Sequence, residues 1–199
     1  MCIVNIIMSA NKLLVILCDG FKWDYFNLNG LDLPGLRRLI EAGTKSDYLE
    51  PVFPSLSFPN YYSLMTGLFC EEHGMVGNFM YDEEKEEKFS NMLNAEAEHC
   101  HWWEYAEPFW VTAVKQGKRT CMFEWPGGQI SHKGTNSTHI VPVNRDTWST
   151  ISDMDGYIHK AVQMFKQDSI DMAGIYVGEI DIKGHELETN STEFYQKLK

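Results

Sequence analysis

The amino-acid sequence predicts an α/β protein in which helices flank a mostly parallel β-sheet. Two short, mainly apolar runs, 13–18 and 171–177, are typical of strands that are buried on both faces. Two amphipathic stretches, 33–43 and 153–167, have the spacing of helices that pack against such a sheet. Because parallel strands end at the same edge of a sheet, the residues that follow them should lie close together.

Composition excludes several classes of protein. The 199 residues, 44% of them hydrophobic, are enough for one well-packed domain. Seventeen basic and 28 acidic side chains give a net charge of −11, and no basic patch stands out, so a nucleic-acid polymer is not an expected partner. Five cysteines without a C-x-x-C pair argue against a structural zinc site. No apolar run approaches the about 18 residues that a membrane span needs.

Residues 1–12 are interpreted as an N-terminal segment that precedes the main unit, 13–199. This segment is apolar, but it lacks basic residues at its start and Asn5 interrupts it, so a signal peptide is not evident. Asn136 and Asn190 each begin an Asn-Ser-Thr sequon, which would carry a glycan only in the secretory pathway.

The first buried strand is followed directly by Asp19 and Gly20. Asp19 therefore stands at the carboxyl end of that strand, the position at which open α/β sheets bind ligands. An ordinary Asp-Gly turn is the alternative interpretation. Next, apolar residues at helical spacing predict a helix that ends at Gly43, and 44–51 are expected to re-enter the sheet.

A second helix is predicted to begin at Ser57 and to stop at Gly67. Ser is a preferred N-cap residue and Pro59 falls in the first turn, where proline is tolerated. The free N–H groups and the positive dipole end of a helix at this point favour an ionised oxygen or a bound phosphate. Ser57 is thus either a simple cap or a reactive hydroxyl.

The middle of the chain is less regular. In 71–78, glycines allow close backbone approach and Asn78 offers an amide donor, whereas His73 is interpreted as a packing residue. The segment 89–108 contains His99 and His101; a metal cluster is conceivable there, but packing is the more common role of such residues.

The last third of the chain repeats the pattern of strand and helix. A helix is predicted in 107–117 and a strand in 119–124, and Asp153 is predicted to cap the helix 153–167.

The second buried strand opens into 178–185, where Asp181 and His185 are predicted to lie on a loop that Gly184 relaxes. A carboxylate and an imidazole four residues apart suit a zinc ion. Together with Asp19 and Ser57 they form a coherent set, because direct coordination to a divalent metal activates a serine hydroxyl.

The order and the residues of these motifs resemble those of the ectonucleotide pyrophosphatase/phosphodiesterase family of the alkaline phosphatase superfamily. That resemblance implies an alkaline-phosphatase-like sheet flanked by helices. The matching stretches are Leu17-Cys-Asp-Gly-Phe21, Phe53-Pro-Ser-Leu-Ser-Phe-Pro-Asn-Tyr-Tyr62, Met65-Thr-Gly67, His73-Gly-Met-Val-Gly-Asn78, Glu107-Pro-Phe-Trp-Val-Thr112 and Glu179-Ile-Asp-Ile-Lys-Gly-His185.

The resemblance also implies roles for single residues. Ser57 matches the nucleophile, which forms a phospho-enzyme intermediate and binds one of two zinc ions. Asp19 matches a ligand of that same zinc, and Asp181 with His185 match ligands of the other. Asn78 matches the amide that holds a phosphate oxygen beside the zinc ions, where Ser57 and Asp181 also contact substrate.

Serine as the nucleophile and the Asn-Tyr-Tyr that follows it most resemble the member of the family specific for glycerophosphocholine. In that member the counterpart of Tyr176 faces the quaternary ammonium group. The expected reaction is hydrolysis of choline phosphodiesters, such as glycerophosphocholine and lysophosphatidylcholine, to phosphocholine at the cell surface or outside the cell. A nucleotide pyrophosphatase/phosphodiesterase is the alternative, and a truncated, inactive homologue is another.

The family completes its zinc pair with an Asp-His pair and a further His that follow the Asp181 motif. This sequence has no such pair after His185. The chain is therefore interpreted as the N-terminal part of a catalytic domain, incomplete at its C-terminus, with two protein ligands for each zinc and no expected activity of its own.

Overall fold

A computed structural model of the protein describes residues 2–9, 12–27, 32–91, 94–144, 149–187, 189 and 191–197. The strands are β1 (Cys2–Ser9), β2 (Lys12–Cys18), β3 (Phe79–Asp82), β4 (Glu87–Ser90), β5 (Thr120–Phe123), β6 (His139–Val141) and β7 (Met172–Val177). The α-helices are α1 (Pro34–Ala42), α2 (Ser57–Thr66), α3 (Cys70–His73), α4 (Phe109–Lys115), α5 (Ile151–Lys166), α6 (Glu179–Glu186) and α7 (Thr192–Lys197).

The main sheet has the strand order β1-β2-β7-β5-β6, and β3 with β4 forms a separate hairpin. β2, β7, β5 and β6 are parallel, whereas β1 runs antiparallel to β2. This arrangement confirms the predicted mostly parallel sheet. β2 and β7 pair in a register that runs from Leu13 opposite Met172 to Cys18 opposite Val177, so these two strands end together.

Both faces of the sheet are covered, which explains the continuous apolar runs in its strands. In β2, Val15 and Leu17 belong to a core that includes residues of α2 and α4. The alternate residues Leu14 and Ile16 belong to a second core with Phe165 of α5. The sheet is therefore the middle layer of three, and the predicted flanking helices are confirmed.

Charged side chains join the amino ends of the central strands. Arg119, next to β5, donates from Nε and a terminal guanidinium nitrogen to the Asp171 carboxylate at 3.0 and 2.9 Å. The ammonium of Lys12 in β2 donates to the same carboxylate at 3.1 Å. This cluster lies at the opposite end of the strands from Asp19.

One prediction about the sheet is wrong. Residues 44–51 form no strand, and all of them are exposed, because no neighbouring strand in the described part of the chain offers them a partner. Conversely, most of the predicted N-terminal segment, residues 2–9, is the edge strand β1. No helix within the described ranges is long and apolar enough to cross a membrane.

The cap of α5 also differs from the prediction. Thr150 is the N-cap residue, and its side chain accepts a hydrogen bond from the Asp153 backbone N–H. Asp153 occupies the third helical position and accepts a bond from the Thr150 backbone N–H at 2.9 Å. This reciprocal capping box uses the carboxylate that the sequence had suggested as the cap itself.

We expect Thr150→Ala to lower the free energy of unfolding by about 1 kcal/mol, the usual cost of losing an N-cap side chain. Hydrogen bonds from Thr150 also hold the pKa of Asp153 below its usual value. A depressed carboxyl pKa stabilises the folded state above about pH 4, so part of the difference should vanish below that pH. Urea denaturation at pH 7 and pH 3 measures both effects.

Ser152→Ala is the matched control, because Ser152 is exposed in the same helical turn and caps nothing. It should leave stability unchanged or raise it slightly, since alanine is the better helix former. Equal losses in the two variants would contradict the assignment of Thr150 as the cap.

Candidate active site

The ends of β2 and β7 bring two predicted site residues, Asp19 and Asp181, close together. The backbone N–H of Asp19 donates to the carbonyl of Val177 at 2.9 Å. Gly20 has a φ of +67°, and a Cβ placed on it would lie 2.5 Å from Cα of Asp181. Only glycine fits so close to another backbone in this left-handed conformation. Asp19 and the first turn of α6 are therefore held next to each other.

Asp19 is buried, with 7% of its surface exposed. Its carboxylate accepts hydrogen bonds from the hydroxyl of Tyr61, from the Tyr176 hydroxyl at 3.2 Å and from the Gly20 N–H at 3.0 Å. Burial, and then the negative charge of Asp181, raise the pKa of Asp19 to about 6 despite these donors. The end of β2 thus carries carboxylate charge that a cation would compensate.

Asp181 and His185 lie on the helix α6, so the prediction of a loop is wrong. Gly184 continues this helix and does not interrupt it. Residues four apart share one helical face, and His185 Nε2 is 3.4 Å from an Asp181 carboxylate oxygen. The side chain of His185 is 82% exposed, so this nitrogen is accessible to a ligand.

Ser57 is the first residue of α2 and does not cap it. The N-cap position belongs to Leu56, whose carbonyl accepts the first helical hydrogen bond, from Asn60 N–H at 3.2 Å. The Ser57 side chain is half-buried, and its hydroxyl makes no hydrogen bond to any described residue. Tyr61, one turn later on the same face of the helix, reaches Asp19.

Asn78 lies at the same end of α2. Its side-chain oxygen accepts a hydrogen bond from the Phe58 backbone N–H at 3.0 Å and so replaces the missing N-cap. Its amide nitrogen has no partner among the described residues and remains available as a donor. Ser57 and the amide nitrogen of Asn78 therefore lie at the same end of α2.

Tyr176, the predicted contact for a substrate cation, lies in the core beside Asp19. Its ring is 3% exposed and packs edge-to-face against Tyr61, with centroids 5.8 Å apart. A substrate cation cannot reach this ring without rearrangement. The Tyr176 hydroxyl instead helps to hold Asp19.

Histidines outside this edge have other surroundings. His73 is fully buried; its Nδ1 accepts from the Met75 N–H at 3.1 Å, so its Nε2–H donates to the Ser63 hydroxyl at 2.8 Å. It is a packing residue, as the sequence predicted.

Comparison with known proteins defines the family. Residues 13–199 match the family model described as type I phosphodiesterase / nucleotide pyrophosphatase. The chain belongs to this family. Bis(5'-adenosyl)-triphosphatase enpp4 of Xenopus laevis is 35% identical over 178 residues, which are 89% of this chain and 37% of that protein. Human ectonucleotide pyrophosphatase/phosphodiesterase family member 7 is 30% identical over 187 residues, 93% of this chain and 40% of that protein.

Solved structures of phosphodiesterases in this family share the fold. Murine ectonucleotide pyrophosphatase / phosphodiesterase 5 superposes with a TM-score of 0.83 at 28% identity, over 94% of this chain and 48% of that one. An inactive variant of the same murine protein, in complex with AMP, gives the same values. The chain thus spans less than half of the length of these relatives.

The side chains at this edge fit the metal chemistry of a phosphodiesterase. Asp19, Asp181 and His185 offer two carboxylates and one imidazole, a donor set that zinc accepts. The pKa of Asp19 is raised because burial and the negative charge of Asp181 both disfavour its ionised form.

Two residues of the site were not assigned a role from sequence. Tyr61 holds Asp19, and the side chain of Asn60 fixes the turn before Ser57 through Val52 N–H and the carbonyls of Pro54 and Leu56, at 2.8 to 3.2 Å. Both lie in the Asn-Tyr-Tyr stretch of the resemblance. That stretch was the available signal, but it did not reveal which atoms these side chains contact.

We expect Gly20→Ala to destabilise the protein by about 1 to 3 kcal/mol through the left-handed backbone alone. The added methyl group also meets the Asp181 backbone, which cannot move without shifting α6. Urea denaturation measures the loss. Gly156→Ala in α5 is the matched control, because a Cβ there meets nothing within 4 Å. Equal stability of the Gly20→Ala variant and the wild type would contradict the close approach.

Proposed function

We propose that the protein hydrolyses small phosphodiesters or pyrophosphates by nucleophilic attack from Ser57. The observation that carries this proposal is the hydroxyl of Ser57, which is free of hydrogen bonds to described residues and lies at a helix start. Asn78 lies at the same helix end, and Asp19 is bonded to Tyr61 one turn away. A serine that served only to cap the helix would accept a hydrogen bond from a backbone N–H group of the first helical turn.

In the proposed reaction, the Ser57 oxygen attacks phosphorus and the bond to the leaving oxygen breaks. This step releases one alcohol group and leaves Ser57 joined to phosphorus as a seryl phosphodiester that retains the other substituent; water then hydrolyses the bond to Ser57, which releases a phosphate monoester and restores the hydroxyl. The amide nitrogen of Asn78 donates to a non-bridging phosphate oxygen, and the N-terminus of α2 favours its negative charge. Tyr61 and Tyr176 keep Asp19 fixed in its buried position.

We propose zinc as the cofactor. Asp19 and Ser57 would hold one ion, and Asp181 and His185 the other, and activity would need the further ligands that the family supplies after His185. Two zinc ions supply positive charge that stabilises the attacking and leaving oxygens. Two protein ligands alone leave each ion largely hydrated, so the prediction that these 199 residues are inactive by themselves remains in place.

We propose an extracellular location, which the relatives named as ectonucleotide enzymes support. Asn136 is exposed and would then be a glycan acceptor. The second predicted acceptor, Asn190, lies outside the described residues.

Nucleotide phosphoesters are the substrate class that we favour. One relative is named as a bis(5'-adenosyl)-triphosphatase, and a structural neighbour was solved with AMP. The choline specificity predicted from the sequence assigned Tyr176 to the quaternary ammonium group, and the burial of that ring does not support this part of the prediction.

In a protein that contains the complete domain, Ser57→Ala should reduce turnover of a nitrophenyl phosphodiester to a small residual rate. The fold should persist, because the hydroxyl neither caps α2 nor bonds to a described residue. Phosphate labelling of the denatured enzyme should also disappear. Ser55→Ala, an exposed serine in the same turn, is the control. Substantial turnover in the Ser57→Ala enzyme would remove Ser57 from the role of nucleophile.

Competition between a dinucleotide and glycerophosphocholine tests the substrate class in the same protein. We expect the dinucleotide to be preferred, and Tyr176→Phe to affect both substrates equally, because the hydroxyl acts on Asp19 and not on a head group. A clear preference for glycerophosphocholine would restore the prediction made from sequence. Tyr176→Ala should then weaken the choline substrate selectively, by about 0.5 to 2 kcal/mol for a lost cation–π contact.

A further inference from the structure

A second group of potential metal ligands lies at the turn of the β3–β4 hairpin, away from the proposed active site. Glu87, which begins β4, and two histidines of the segment that follows the hairpin, His99 and His101, bring their ligand atoms within 4.8 Å of one another. Asp82, at the end of β3, lies opposite Glu87 in the hairpin. The hairpin begins next to Asn78, so four residues of strand, about 13 Å, separate Asn78 from this cluster.

The distances within the cluster suit a tetrahedral ion. Zinc bonds to nitrogen and oxygen of about 2.0 to 2.1 Å place neighbouring ligand atoms about 3.3 Å apart. Glu87 Oε2 is 2.7 Å from His99 Nδ1 and 3.6 Å from His101 Nε2. His101 Nε2 is also 3.7 Å from Asp82 Oδ2. The ligand atoms of Glu87, His99 and His101 therefore converge, and the Asp82 carboxylate, which also pairs with the Lys85 ammonium at 3.3 Å, lies beside them.

His101 supplies an independent indication of a ligand. Its Nε2 atom is buried and makes no hydrogen bond to any described residue. A buried polar atom without a partner is costly. The carboxylates near this nitrogen are too distant for hydrogen bonds, yet within the range of a shared ion.

The surrounding charge also attracts a cation. Residues 82–88 contain five acidic side chains and two lysines, a net charge of −3. Backbone and side-chain contacts hold this hairpin on the next segment independently of any ion: Glu96 accepts from the Lys88 N–H at 2.9 Å, and Asn94 accepts from the Ser90 N–H at 3.0 Å. The donors are therefore arranged before an ion binds.

We propose that Glu87, His99 and His101, with Asp82 as a fourth donor, bind one zinc ion that is separate from the ions of the active site. Two imidazoles with carboxylates favour zinc over calcium or magnesium, which take mainly oxygen ligands. With all four positions filled by protein, this ion would be structural. It would fasten the hairpin to the segment that carries Trp102 and Trp103.

Those tryptophans connect the site to the proposed nucleophile. Phe89 of β4 contacts Trp102 and Trp103, with ring centroids 5.8 Å apart in each case, and Phe58 of α2 lies 5.1 Å from Phe89. An ion at the hairpin turn would therefore strengthen the layer on which the start of α2 rests.

The test is zinc content after equilibrium dialysis of the full-length protein that contains this chain. The His99→Gln/His101→Gln variant should hold one zinc fewer than the wild type, whereas His159→Gln, an exposed histidine in a comparable pair with Asp155, should lose none. An Asp181→Asn/His185→Gln variant, altered only in the proposed active site, should retain the hairpin zinc. In the Asp181→Asn/His185→Gln variant, added zinc but not added calcium should slow the exchange of backbone amide hydrogens in residues 82–102.

The Glu87→Gln variant keeps the backbone hydrogen bonds of the hairpin. It therefore tests the site even if the double variant fails to fold. The substitution should lower the affinity of the hairpin site for zinc by more than about tenfold, the loss seen even when a residue that only supports a metal ligand is replaced. Unchanged zinc content in the His99→Gln/His101→Gln protein would overturn the proposal and leave the cluster as a histidine–glutamate ion pair. Protection by calcium equal to that by zinc would overturn the choice of metal. Neither outcome affects the role proposed for Ser57.

Discussion

The parallel pairing of β2 with β7 is the constraint on which the site depends. These strands are separated by most of the chain, yet their register makes them end side by side, at Cys18 and Val177. Whatever follows each strand must then share a small volume. Gly20 makes this possible, because any side chain there would meet the backbone of Asp181. The proximity of the two aspartates is therefore set by the sheet and the backbone that follows it.

Placing Asp19 in this position is energetically unfavourable. A buried carboxylate beside a second negative charge loses solvation, and its pKa rises to about 6. The hydroxyls of Tyr61 and Tyr176 offset part of this cost, and they remain donors because burial raises the pKa of both phenols. Shifted pKa values of this kind are common at functional sites.

The start of α2 is positioned by groups outside the helix. Leu56 cannot cap it, so Asn78 binds the Phe58 N–H, and Asn60 fixes the preceding turn. Beneath the helix, the hydroxyl of Tyr62 donates to the carbonyls of Trp103 and Ala106. Because other groups support the start of the helix, the Ser57 hydroxyl is not needed to cap it. The hydroxyl is therefore available for the reaction proposed above. This support also explains why the arrangement of the hairpin bears on a residue at the other end of β3.

The sequence by itself determined the buried strands, the main helices and the polar residues at the strand ends, because apolar periodicity and chain order are local properties. Its family resemblance was confirmed by the match over residues 13–199. The tertiary structure alone decided which side chains meet. Tyr61 and Asp19 are 42 residues apart, and Glu87, in a hairpin that no pattern predicted, contacts His99 12 residues later. Such contacts depend on strand register and packing, which a linear pattern does not encode. For the same reason the aromatic ring of Tyr176, at a predicted substrate position, lies in the core.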